Sequence, residues 1–64
     1  MDEEARSKAL YEAIMKTLSD IGMMGLLTAV GDARTGVPWY RTSPKTRQVF
    51  YTLRANLTEA ERKA

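Results

Sequence analysis

The sequence predicts an α+β fold, namely an N-terminal helix, a three-stranded antiparallel meander and a short C-terminal helix, in one small domain spanning residues 1–64. Three observations carry this expectation. Apolar residues between 2 and 21 recur at spacings of three and four. Residues 37–57 are rich in β-branched and aromatic side chains and include a run of alternating character. Gly, Pro and Ser fall where hairpin turns would be needed. An all-α unit of three helices is the alternative.

From Asp2 to about Asp20 the chain holds good helix formers and no proline, with Asp2, Glu3 and Glu4 at the end where a helix dipole favours negative charge. Leu10, Tyr11, Ile14, Leu18 and Ile21 share one face, which predicts burial against the rest of the chain or, alternatively, a homodimer seam. The apolar stretch from Ile21 to Val30 reads as a strand from about Leu26 to Val30. Met23, Leu26, Leu27 and Val30 also keep helical spacing, so a second helix ending at Gly31 competes with it. Gly31 to Gly36 then reads as a hairpin loop.

Val37 to Thr42 reads as the second strand, with Pro38 at an edge or a strand start, and Ser43-Pro44-Lys45-Thr46 as a turn. Between Gln48 and Leu57, Val49, Tyr51, Leu53, Ala55 and Leu57 alternate with polar neighbours, which suits a third strand. Its rival is a helix with Ser43 as N-cap, Pro44 at the first helical position, and Val49, Phe50, Leu53 and Leu57 at helical spacing. Thr58-Glu59-Ala60-Glu61 has the spacing of a capping box and predicts a short last helix.

At 64 residues the chain is near the lower limit for an unaided core, since such chains bury only about 60% of their unfolded surface. With no cysteine and no histidine it lacks disulfide staples and the usual zinc ligands. Self-association is the common remedy that remains. No apolar run approaches the ~20 residues of a membrane span, and the acidic start is unlike a secretion signal. A cytoplasmic location is expected.

Charge is unevenly spread. Residues 1–32 hold six acids and three bases, whereas residues 33–58 hold five bases and no acid. Arg34, Arg41, Lys45, Arg47 and Arg54 share that segment with Trp39, Tyr40 and Phe50. Cations interleaved with flat rings suit a phosphate-bearing partner, the bases meeting backbone charge and the rings stacking on bases. The expected function is therefore a small, non-enzymatic accessory or regulatory protein that contacts DNA or RNA through a basic, aromatic hairpin. An acidic protein surface docked on the same residues is the alternative, because Trp, Tyr and Arg also anchor protein interfaces. No metal and no cofactor is implied.

Other motifs carry less. Gly31 to Gly36 has the glycine spacing of a nucleotide phosphate loop, but Val37-Pro38 stands where the lysine and hydroxyl residue belong, so the phosphate and magnesium contacts are missing. Gly22-Met23-Met24-Gly25 is similar to the GXXG loop of KH domains, with methionines at positions where a backbone-clamping donor is expected. The stretch from Gly36-Val37-Pro38-Trp39-Tyr40-Arg41 through Val49-Phe50-Tyr51 resembles the wing of excisionase-type winged helix-turn-helix proteins, which implies a DNA-contacting hairpin. Ser43-Pro44-Lys45-Thr46 is similar to the start of recognition helices in LuxR-type regulators, which implies a helix there instead. The two likenesses exclude one another.

Overall fold

The computed structural model describes residues 2–63. It is all-α: helix α1 spans Glu3–Ile21, α2 spans Met23–Thr35, a single 3-10 turn covers Trp39–Arg41, and α3 spans Pro44–Lys63. Among the described residues there is no strand. The expected meander is thus overturned, and the three-helix alternative is the fold.

Local chemistry explains each helix boundary. Asp2 caps α1, its Oδ1 accepting from the Ala5 amide at 2.7 Å, with Glu3 and Glu4 in the first turn. Gly22 alone separates α1 from α2. Its φ of 96° and ψ of 162° lie in a region open essentially to glycine, and the two helix axes differ by 120° across it. The segment expected to form a strand at Leu26–Val30 lies inside α2, which continues through Gly31 to Thr35. Gly31 to Gly36 is no hairpin loop. Gly36, at φ 73°, closes α2 with its N–H on the Ala33 carbonyl (3.2 Å), while the Val37 N–H reaches the Asp32 carbonyl (3.1 Å). That paired arrangement is a Schellman ending, and Pro38 follows it as a stop.

The second and third expected strands fail for a related reason. With helices on both sides, residues 37–42 have no partner to pair with, and the chain tightens into the 3-10 turn through Arg41 N–H to Pro38 O at 2.8 Å. Ser43 then starts α3 as its cap, with Oγ accepting from the Thr46 amide at 3.1 Å and Pro44 in the first turn. The alternation from Gln48 to Leu57 is also compatible with a helical period, and the cap decides between them. α3 runs unbroken through Thr58, so the expected capping box is absent: Thr58 Oγ1 instead donates to the Arg54 carbonyl at 3.0 Å.

The buried centre is made of small residues. Ala9, Ala13 and Thr17 of α1, Gly25 and Ala29 of α2, and Thr46, Val49 and Ala60 of α3 are buried, and Val49 is the largest fully buried side chain. The stripe Leu10, Tyr11, Ile14, Leu18 and Ile21 is not the buried face of α1. The Ala9-Ala13-Thr17 row, one residue over and about 100° round the helix, lies inside instead, because only small side chains let α1 approach α3 closely. Leu18 and Ile21 are half-buried, while Leu10, Tyr11 and Ile14 face outward. The resulting body is thin, 33 × 21 × 15 Å across its Cα atoms.

Candidate nucleic-acid interface

The basic, aromatic segment is assembled at the corner where α2, the 3-10 turn and the first half of α3 meet. Trp39 leans on Phe50 (ring centroids 6.1 Å apart) and meets Tyr51 edge to face at 5.7 Å. Phe50 is half-buried, whereas Trp39 is 48% exposed and Tyr40 76% exposed. The core therefore claims Phe50 and leaves the other rings largely at the surface.

Arg47 serves the architecture. Its Nη2 donates to the Thr42 carbonyl at 2.9 Å and the Tyr40 carbonyl at 3.2 Å, and its Nε to Thr42 Oγ1 at 3.2 Å. Thr42 Oγ1 in turn donates to the Trp39 carbonyl at 2.6 Å. This guanidinium clamps the 3-10 turn to α3 through its Nε and Nη2. Arg34, Arg41, Lys45 and Arg54 are exposed. Among the described residues the one ion pair is Lys16–Asp20, at 3.5 Å on α1, so no carboxylate neutralises those four cations. Arg34 lies in the last turn of α2, where its charge also suits the negative end of the helix dipole.

The corner is held by side-chain hydrogen bonds. Ser43 Oγ donates to Thr46 Oγ1 at 3.2 Å, and Thr46 Oγ1 donates to Asp32 Oδ2 at 2.6 Å, tying the start of α3 to the end of α2. Asp20 has different partners: it accepts from Asn56 Nδ2 at 3.3 Å, while the same Nδ2 also reaches the buried Thr17 Oγ1 at 3.0 Å. The two aspartates are engaged separately and form no shared cation site, and no group of three or more potential metal ligands is gathered among the described residues.

Helical geometry adds residues that an extended reading put out of register. Gln48, Tyr51 and Arg54 are exposed and follow one another at intervals of three, forming a diagonal ridge across the outer face of α3, while Lys45 lies at its α2 edge, with its stem over Gly25 and its charge exposed. Gln48 and Tyr51 were not among the expected site residues. The signal that reveals them is the Ser43-Pro44 helix start, which changes the period of everything after it. Two open grooves flank the α1–α3 contact, one lined by Glu3, Arg6, Ser7, Leu10 and Leu57, the other by Ala5, Lys8, Ala9, Glu12, Ala60 and Lys63. Neither joins the basic corner. Compared with protein-family models, curated proteins and solved structures, the chain matches none.

Proposed function

We propose that this is a small, non-enzymatic nucleic-acid-binding protein that lays the outer ridge of α3 and the adjoining 3-10 turn on double-stranded DNA. The observation that carries the reading is the set of four exposed, unneutralised cations, Arg34, Arg41, Lys45 and Arg54, around a helix whose outer ridge also offers Gln48 and Tyr51. Cations meet phosphates, a glutamine amide matches the donor and acceptor pair of adenine, and the exposed rings of Trp39 and Tyr40 beside the cations are free to pack on the backbone or a base step. The expected hairpin does not exist, so a helix must supply the contact. A helix fits the wide major groove of B-form DNA and not the deep, narrow one of A-form RNA.

Fluorescence anisotropy against random duplex DNA, duplex RNA and single strands tests this. Four phosphate contacts give a plot of log affinity against log salt with a slope of about −3 to −4, and Arg41→Ala with Arg54→Ala flattens it by about two units. Preference for duplex DNA and quenching of Trp39 are expected. An absence of binding at low salt would overturn the proposal and move the same surface to an acidic protein partner.

A further inference from the structure

The protein exposes far more surface than its mass requires. A compact monomer of 7.2 kDa has an accessible area of about 4,100 Å² by the scaling of folded monomers, whereas this chain exposes 4889 Å², an excess of about 800 Å². Each partner in a protein–protein interface of standard size covers about that much, ~800 Å². Much of that exposed surface is apolar. On the outer side of α2, Met23 is 56% exposed, Leu27 54% and Val30 50%, and no charged residue occurs between Met23 and Gly31. Helical spacing places those three side chains on one stripe, with the α1 stripe of Leu10 and Ile14 likewise half open.

From this we infer that the outer face of α2 is a homodimer interface and that the chain folds as a two-fold pair. A second copy is the occupant that the observations favour. From Met23 to Gly31 the face carries no charge, and its one cation, Arg34, stands at the C-terminal end of the stripe, so the centre offers nothing for a charged partner to complement. A symmetric pairing is self-complementary by construction, since the same residues serve on both sides. The chain also needs the contact in order to be stable. Its interior holds nothing larger than Val49, its body is 15 Å thick in one direction, and its large apolar side chains are mostly outside. A small domain with so slight a core is one for which oligomerisation is the usual support. The methionines Met23 and Met24, both exposed, supply adaptable side chains of the kind enriched at interface centres. The seam thus lies on α2 rather than on the Tyr11, Ile14, Leu18 and Ile21 face expected from the sequence, of which Leu18 and Ile21 are already half-buried.

The inference does not depend on nucleic-acid binding, and its test uses none. Sedimentation equilibrium and thermal melting of the full chain are measured from low micromolar to near-millimolar concentration. The expected results are twice the chain mass and a melting temperature that rises with concentration, because folding and association are then one equilibrium. Leu27→Glu is expected to weaken association at least ~100-fold, as burying a carboxylate in an apolar seam does. Glu59→Lys on α3 is expected to leave it unchanged. Should Leu27→Glu unfold the chain, raising its concentration should restore helical circular dichroism, which simple misfolding would not allow. A monomer at all concentrations with concentration-independent melting would overturn the inference, as would a dimer that Leu27→Glu and Val30→Glu leave intact. Monomer mass combined with co-sedimentation on lipid vesicles would also overturn it and assign the face to a bilayer surface.

Discussion

Where α3 meets α1, the contact is a row of alanines, with Ala9 and Ala13 buried on one side and Ala60 on the other; where α3 meets α2 and the 3-10 turn, it is built from rings, hydroxyls and a guanidinium. The first contact brings backbones close but is smooth, because methyl groups present shallow ridges. The second is directional and admits one arrangement. The alanine row is given a register only where polar groups interrupt it, at the Thr17–Asn56–Asp20 hydrogen bonds, just as Thr46–Asp32 fixes α2. Close packing and positional precision therefore come from different residues, and substitutions can separate them.

The largest expected effect breaks the smooth contact. Ala13→Leu inserts three carbons into a site 1% exposed and should cost about 3 kcal/mol by forcing α1 away from α3. Since small domains rarely hold more than about 3–5 kcal/mol, urea titration should show a largely unfolded chain. Thr46→Val tests the directional contact. It keeps the shape but removes the donor to Asp32 and the acceptor for Ser43, for an expected loss of about 1–2 kcal/mol. Asn56→Ala should cost about 1 kcal/mol. The two latches are separate, so Thr46→Val and Asn56→Ala should add to within about 0.5 kcal/mol. A larger discrepancy would show that the two regions share one network.

Arg47→Met keeps the aliphatic stem and deletes the clamp on the 3-10 turn, and about 1 kcal/mol of stability should go with it. Trp39 emission should shift to the red as the turn loosens, while the far-ultraviolet helix signal stays. Tyr40→Ser is the smallest expected change in stability, within about 0.5 kcal/mol, because that ring is 76% exposed. The same substitution should weaken binding to nucleic acid by about 1 kcal/mol or more if the ring stacks, which separates a surface role from a packing role.

The legibility of the sequence followed the same division. α1 was readable because its helix-forming composition, acidic first turn and apolar spacing agree with one another. α2 and α3 were ambiguous because short apolar runs satisfy both periods, and the residues that decide between them, Gly36 and Ser43-Pro44, act at the ends and not in the middle. Which face of α1 is buried was misleading for another reason. A hydrophobic stripe ordinarily marks the inside, but here close approach selected alanine and threonine and left the larger side chains out. The cations and rings of the site were legible as a cluster. Arg47's internal role, and the ridge through Gln48 and Tyr51, depend on the helix and on side-chain geometry that composition does not carry.

Gly22 decides more than the direction of one corner. Its backbone conformation is closed to other residues at a cost of roughly 1–3 kcal/mol, and residues on both sides of it are already helical. With alanine there, that strain is relieved if residues 3–35 run as one straight rod of about 50 Å. α3 stays tied to α2 through Thr46–Asp32, so α1 then lies beyond the reach of its own α3 and can regain the Thr17–Asn56 contact only on a neighbouring chain. Gly22→Ala should therefore convert the protein to arm-exchanged dimers, recognisable by sedimentation because Leu27→Glu would no longer separate them. A single atom at this position, by its absence, keeps each chain's helices its own.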